Sequence, residues 1–99
     1  MTDRPSDTPV YGIAVAAQLS GLTQAALRLY EDKGLVTPAR TDGGTRRYSE
    51  DDLSRLRDVS RLQDDGINLA GIGRVIELET ENAALRRRID GLEADREAP

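Results

Sequence analysis

Residues that interrupt helices are concentrated in one short part of the chain and limit the folds open to it. Gly34, Pro38, Gly43 and Gly44 fall close together, and glycine and proline are the weakest helix formers. Apolar residues at helical spacing occur on both sides of this segment. The sequence therefore predicts a mainly α fold with a small two-stranded β wing: two short helices, an antiparallel ribbon that turns at residues 41–44, and two further helices.

The two short helices flank a tight turn. Residues 11–19 carry apolar side chains at helical spacing, Gly21 ends this segment, and Thr23 is a good N-cap for the second helix. Gly34 suits the left-handed residue that follows such a helix. Two short helices around a glycine-containing turn are the layout of a helix-turn-helix motif. Taken alone, the pattern also fits ordinary core packing.

The second half of the chain predicts two longer helices. Ser49 followed by Asp52 is close to a capping box, and Asn68 is the N-cap of a helix that starts near Leu69. This fourth helix carries a heptad repeat whose a and d positions are apolar except for one asparagine, and whose e and g positions are charged. The a and d positions are Val75, Leu78, Asn82, Leu85, Ile89 and Leu92.

The heptad predicts a coiled coil through which the chain pairs with a second copy. A lone polar residue at a buried a position, here Asn82, fixes the register at a cost in stability. The alternative is that the heptad is a coincidence and that Asn82 faces water. A parallel and an antiparallel coil both stay open, because Asn82 meets different neighbours in each.

The composition excludes several kinds of chemistry. The chain has no cysteine and no histidine, which removes disulfides, thiol chemistry, the common zinc sites and the usual general base. No nucleophile–base pair and no phosphate loop is visible in the sequence. We therefore expect neither an enzyme nor a bound metal or cofactor. No long apolar run is present either, so we expect a cytoplasmic protein without a membrane partner.

The net charge of −4 hides an uneven distribution. Residues 11–63 carry eight basic and seven acidic side chains, whereas residues 64–99 carry five basic and nine acidic ones. Since the local charge at a contact surface decides phosphate binding, an acidic total does not exclude a nucleic-acid partner.

Three arginines in the ribbon are candidate phosphate ligands. Arg40, Arg46 and Arg47 carry guanidinium groups that pair with phosphate oxygens in two-point geometry, beside backbone amides that the turn glycines leave open. The alternative is a solvated loop whose arginines pair with Asp42 and Glu50.

Further candidates lie on the second helix and at the end of the ribbon. Gln24 and Arg28 suit contacts to base edges or phosphates in a major groove, whereas the alternative pairs Arg28 with Asp32 on an ordinary exposed face. Tyr30 and Tyr48 suit a hydroxyl on a phosphate with the ring packed inside. The alternative is that both are core tyrosines.

The order of these motifs resembles a known family. The run I-x-V-A-x-x-L-S-G-L-T-x-x-x-L-R-x-Y-E-x-x-G-L-V-x-P-x-R is followed by G-G-x-R-R-Y-S-x-x-D-L and then by L-x-x-x-G-I-x-L-x-x-I. Together they resemble the MerR family of transcription regulators over about residues 12–78. The segments VAAQLSGL, GGTRRYS and GINLAGI are most similar to the heat-shock repressor (HspR) branch.

The resemblance implies a winged helix-turn-helix followed by a C-terminal coiled-coil helix. It implies dimerisation through an antiparallel coil and binding to inverted-repeat operators. Ala26, Leu29 and Thr45 depart from residues common in the family, which puts the sequence preference in doubt more than DNA binding. The DNA contacts that the resemblance implies are Thr23, Gln24, Arg28, Tyr30, Arg40, Gly44, Arg46, Arg47 and Tyr48.

From these patterns we predict a disordered arm over residues 1–10, a winged helix-turn-helix DNA-binding domain over 11–68, and a C-terminal helix and dimerisation coil over 69–99. The predicted function is a nucleoid-associated, homodimeric transcription regulator, more specifically a repressor, without an effector-binding domain. One alternative is a protein-binding adaptor of the chaperone-modulator type with a chaperone as partner, which the acidic last third favours. The other is an excisionase-like factor that bends DNA.

Overall fold

A computed structural model describes residues 4–97 and shows a mainly helical chain with one small sheet. This confirms the predicted fold class. Within the described residues, no helix combines the length and the apolar character needed to cross a membrane. The elements in chain order are α1 (Ile13–Ser20), α2 (Gln24–Asp32), β1 (Ala39–Arg40), β2 (Arg46–Arg47), α3 (Glu50–Asp64) and α4 (Leu69–Glu97).

A left-handed glycine and an N-cap side chain form the turn between α1 and α2. Gly21 adopts a left-handed conformation with a φ angle of 72°, which a residue without a side chain reaches at little cost. Its amide and that of Leu22 bond back to carbonyl groups near the end of α1. The side chain of Thr23 then accepts a hydrogen bond from the amide of Ala26 at 3.0 Å, which confirms the predicted N-cap.

The wing is a short antiparallel ribbon held by its own turn. Ala39 lies opposite Arg47, and Arg40 lies opposite Arg46. The amide of Thr41 donates to the carbonyl of Thr45 at 2.8 Å, and the Thr41 hydroxyl accepts from the Thr45 amide at 3.1 Å. These bonds fix the register, so the side chains of the two strands have defined neighbours.

A single core connects the helix-turn-helix to α3, to the wing and to the first turn of α4. It is aliphatic apart from two tyrosines, and its members come from every helix. Because this core includes one face of α2, the opposite face of α2 is left at the surface. The buried core residues are Ala16, Ala17, Leu27, Tyr30, Leu35, Val36, Tyr48, Leu53, Leu56, Val59 and Ile72.

Part of the segment that we predict to be a disordered arm is tied to this domain. The amides of Val10 and Tyr11 both donate to the carbonyl of Tyr48, at 3.1 and 3.0 Å, and the amide of Asp51 donates to the carbonyl of Ser6 at 3.0 Å. Residues 6–10 are therefore held by backbone hydrogen bonds that no local sequence pattern indicates. Residues 1–3 of the arm lie outside the described residues, and the division of the chain into three domains stays a prediction.

The two long helices begin at predicted caps. Ser49 and Asp52 form a complete capping box at the start of α3, since each side chain accepts from the other residue's amide, at 3.1 and 2.9 Å. Before α4, the side chain of Asn68 accepts from the amide of Gly71 at 2.8 Å. Ile72 is fully buried and anchors the first turns of α4 to the core.

Beyond this anchor, α4 carries an apolar stripe that its own domain does not cover. Leu78, Leu85, Ile89 and Leu92 are between 46% and 59% exposed. Asn82 of the same heptad is also exposed, and Val75 is half-buried. A row of large aliphatic side chains at heptad spacing on one helix face is a surface suited to a second helix.

The capping box predicts a measurable loss of stability when its hydroxyl is removed. Ser49→Ala deletes the acceptor of the Asp52 amide and should destabilise the fold by about 1 kcal/mol, a typical value for a lost N-cap. Urea denaturation measures this. Ser54→Ala, on the exposed side of α3, is the control and should leave stability unchanged or slightly higher. Equal midpoints for the two variants would contradict the role of the cap.

Candidate nucleic-acid interface

The outer face of α2 carries polar side chains in a fixed row. Gln24, Arg28 and Glu31 are spaced by four and three residues, so they lie on one side of the helix. Leu27 and Tyr30 on the other side are buried, which fixes the rotation of the helix. Thr23, Gln24 and Arg28 are exposed. Three of the sequence-predicted contacts therefore lie together at one end of an accessible helix face.

Glu31 connects this helix face to the wing. Its Oε2 accepts from Nη2 of Arg40 at 2.9 Å, and its Oε1 accepts from Nε of Arg46 at 2.6 Å. The two arginines are cross-strand partners, so their side chains leave the same face of the ribbon. One carboxylate thus bridges both strands of the wing to the last turn of α2, and the helix and the wing form one continuous surface.

The ion pairs of the wing arginines are not the ones expected for a solvated loop. Arg40 and Arg46 pair with Glu31 rather than with Asp42 or Glu50. The carboxylate of Glu50 instead accepts a hydrogen bond from the hydroxyl of Tyr11. Glu31 was missed by sequence reasoning, although its position seven residues after Gln24 places it on the contact face of α2.

The electrostatic environment favours the charged forms of Glu31 and Arg46. Burial acts to raise the pKa of Glu31, but the hydrogen bonds and charges of Arg46 and Arg40 outweigh it and hold that pKa below its ordinary value. The hydrogen bond to Glu31 raises the pKa of Arg46 above its ordinary range. One carboxylate faces two guanidinium groups, so the cluster keeps a net positive charge.

The third wing arginine does not join this cluster. Arg47 follows Arg46 in the strand, and successive side chains of a strand point to opposite faces. Arg47 is half-buried, its Nη1 donates to the carbonyl of Arg46 at 3.2 Å, and it lies close to Gly12, where a Cβ atom would come within 3.2 Å of that nitrogen. The predicted group of three arginines is therefore divided between two faces of the wing.

Two of the predicted contact residues lie inside the molecule. Tyr30 is 4% exposed and its hydroxyl donates to Oε1 of Gln63 at 2.6 Å. Tyr48 is fully buried, and within the described residues its hydroxyl has no hydrogen-bond partner. The prediction that both place a hydroxyl on a phosphate is corrected, because the packing of the core requires both rings and encloses both side chains.

The remaining candidates are accessible. Arg28 and Gly44 are exposed, as is Arg40 to 44%, and the side chain of Arg46 is 27% exposed. Among residues 4–97, Arg28 makes no ion pair, so the alternative pairing with Asp32 is absent. Arginine side chains on a helix face and on an adjoining ribbon suit an extended polyanion.

Comparison with known proteins gives the family. Residues 11–79 match the family model described as "MerR HTH family regulatory protein". The chain belongs to the MerR family. This confirms the resemblance drawn from the sequence motifs. The match ends at residue 79, so it includes only the first two residues of the apolar stripe on α4, Val75 and Leu78.

The relatives include named regulators. A Streptomyces coelicolor protein that carries the name heat shock protein HspR is 58% identical over 89% of this chain. The transcriptional regulator TnrA of Bacillus subtilis is 38% identical over 67% of this chain. The chain spans 59% and 60% of the length of these two relatives.

Solved structures share the fold. HiNmlR, described as a MerR family regulator lacking the sensor domain and bound to promoter DNA, superposes with a TM-score of 0.69 and is 29% identical. The match covers 85% of this chain and 65% of HiNmlR. A MerR family transcriptional regulator from Bacillus cereus is 28% identical, with a TM-score of 0.62.

The two buried tyrosines give a matched pair of stability predictions. Tyr30→Phe removes a hydroxyl that bonds Gln63 and should destabilise the protein by about 1 kcal/mol. Tyr48→Phe removes a buried hydroxyl that has no hydrogen-bond partner among residues 4–97, and it should be neutral or stabilising by up to about 1 kcal/mol. Thermal or urea denaturation measures both, and a larger loss for Tyr48→Phe than for Tyr30→Phe would contradict these environments.

Proposed function

We propose that this protein is a sequence-specific DNA-binding transcription regulator, and more specifically a repressor that acts as a homodimer on an inverted-repeat operator. The observation that carries the proposal is the continuous surface made by α2 and the wing, on which Gln24, Arg28, Arg40 and Arg46 are accessible. Membership of the MerR family supports DNA binding. The repressor role is supported by the 58% identity to the protein named HspR.

In the proposed complex α2 is the recognition helix. It enters a major groove, where Gln24 and Arg28 meet base edges or phosphates. Arg40 and Arg46 of the wing bind phosphates beside that groove, and Arg47 binds from the other face of the ribbon. Gly44 is exposed beside these arginines, but its amide donates to the carbonyl of Thr41 at 2.8 Å, so the open amide expected there is already bonded within the turn. The complex forms on the nucleoid, which implies a cytoplasmic location.

The apolar stripe of α4 supports a dimer formed by two such helices. In an antiparallel coil, an a position of one helix faces a d position of the other. One register pairs all six heptad residues at once, without leaving any of them unmatched. Its layers are Val75 with Leu92, Leu78 with Ile89, and Asn82 with Leu85 of the second copy.

The charges beside the stripe agree with this register. Glu79 lies opposite Arg86 of the second copy, and Glu81 lies opposite Arg88 of the second copy. Like positions flank the core of an antiparallel coil, so both contacts occur twice by symmetry. A parallel coil also brings opposite charges together, because Glu81 then meets Arg86 of the second copy. The charge pattern alone therefore supports pairing but not an orientation.

The spacing of the DNA-binding surfaces favours the antiparallel orientation. In the register given above, Ile72 of one chain lies level with Asp95 of the second copy, which separates the two Ile72 anchors by about 35 Å of helix rise. Recognition helices that read successive major grooves need a separation of about 34 Å. A parallel coil would hold the two Ile72 anchors only about 10 Å apart, the distance between packed helices.

DNA binding should depend steeply on salt through the wing. We expect Arg46→Ala combined with Arg47→Ala to weaken operator binding about tenfold or more. The slope of log Kd against log salt should fall by about four for the dimer, because two phosphate contacts are lost in each subunit and each contributes about 0.9. Fluorescence anisotropy with a promoter inverted repeat at several salt concentrations measures both values.

The matched control removes two arginines elsewhere. Arg61→Ala combined with Arg87→Ala changes the net charge equally, on exposed positions of α3 and α4, and should leave the slope unchanged. Equal slopes for all three proteins would contradict the wing role. Absence of DNA affinity at low salt, together with binding to a chaperone, would instead select the adaptor alternative.

A charge exchange on α4 tests the proposed dimer. Glu81→Arg alone should weaken dimerisation about fivefold or more, because two symmetry-related attractions of about 0.5 kcal/mol each are lost and like charges take their place. Adding Arg88→Glu restores opposite charges in the antiparallel register and should recover the affinity. In a parallel coil the same double exchange leaves position 81 against Arg86 and position 88 against Glu93. Sedimentation equilibrium measures the dimer dissociation constant.

The control for this exchange is Asp90→Arg, which changes charge on α4 outside the a, d, e and g positions. It should leave the dissociation constant near that of the unaltered chain. A double variant that dimerises more weakly than Glu81→Arg would contradict the antiparallel register.

A further inference from the structure

We infer that Glu31 is a positioning residue for DNA binding, whose carboxylate holds Arg40 and Arg46 side by side so that the wing presents a fixed pair of guanidinium groups next to α2. This inference rests on the proposed DNA-binding function. An acidic residue within a basic contact surface would then strengthen the binding of a polyanion.

The geometry leaves both arginines able to bind phosphate. Glu31 accepts from Arg46 only through Nε. Neither terminal amino group of Arg46 reaches a hydrogen-bond acceptor in the part of the chain that the structure describes. That edge carries the paired N–H groups that grip an oxyanion in two-point geometry. The carboxylate thus holds the Nε side of the guanidinium group and leaves the two terminal amino groups available to a phosphate.

Arg40 extends the same arrangement to the turn of the wing. Its Nη2 donates to Glu31 at 2.9 Å, while its Nη1 donates to the carbonyl of Gly44 at 2.9 Å. Through Arg40, the carboxylate on α2 therefore also fixes the turn that follows the first strand. The wing is connected to α2 by this chain of hydrogen bonds in addition to the core beneath it.

The register of the ribbon explains why a carboxylate is needed. Arg40 and Arg46 lie directly opposite one another on one face, where like charges repel. Without a shared counter-ion the two long side chains would separate and sample many rotamers, which DNA binding would then have to restrict. Glu31 removes this repulsion in the free protein, so less conformational freedom is lost when the phosphates bind.

The opposite expectation follows if Glu31 is only a negative charge near DNA. Its removal would then strengthen binding, because a carboxylate repels phosphates. The side chain is 20% exposed and lies in contact with both guanidinium groups, so it acts on the arginines more directly than on the DNA. The two readings predict changes of opposite sign.

The test is operator binding by Glu31→Gln, which keeps the size of the side chain and removes its charge. We expect the affinity to fall about fivefold to thirtyfold, as for tightly coupled neighbours, and the salt slope to fall by about two as one phosphate contact is lost in each subunit of the dimer. Anisotropy titrations at several salt concentrations give both values. A stoichiometric titration gives the fraction of active protein.

Asp32→Asn is the matched control. It removes the neighbouring carboxylate of the same helix, which is exposed and makes no ion pair among residues 4–97, and it should leave affinity unchanged or higher. A second test places Glu31→Gln in a chain with Arg40→Ala and Arg46→Ala. There it should have no further effect, because Glu31 acts only through those two side chains.

The outcomes separate the inference from the function on which it rests. If the unaltered chain binds the operator and Glu31→Gln binds as tightly or more tightly, the inference is overturned and the proposed function stands. The same holds if Glu31→Gln lowers only the active fraction with an unchanged salt slope. If the unaltered chain shows no salt-dependent DNA affinity, the proposed function itself fails.

Discussion

The two hydrogen bonds from Arg40 and Arg46 to Glu31 make one surface out of two elements. Without them α2 and the wing would be joined only through the core beneath, and the wing arginines would have no defined direction. The core supplies the other half of this arrangement, since burial of Leu27 and Tyr30 rotates the row of Gln24, Arg28 and Glu31 outward. Packing on one face and ion pairing at the edge together define the candidate interface.

Two parts of α4 have different surroundings. Ile72 belongs to the core, whereas the heptad residues beyond it lie on a helix that leaves the domain with its apolar stripe exposed. A chain with so acidic a last third would repel DNA if that charge lay beside the wing. The charge lies instead on α4, the helix that we propose for self-association, where acidic and basic side chains alternate in blocks that two copies can match.

Local signals in the sequence were sufficient for most of the fold. The cap at Thr23, the capping box at Ser49 and the left-handed conformation of Gly34 depend on a few adjacent residues, and the structure confirms them. The partner of the wing arginines was not predictable in this way. Asp42 and Glu50 are near in sequence, but the fold brings Glu31 closer. The tyrosines were misjudged because an amphipathic ring fits equally well at a surface and in a core.

The most direct test of the central claim is an NMR titration of the isotopically labelled protein with an operator duplex. The account predicts that shift changes concentrate on residues 23–31 and 40–47, with the Nε–H signals of Arg40 and Arg46 among those that move. Shift changes confined to α4, or to the wing without α2, would contradict the claim that the helix and the wing act as one DNA-binding surface.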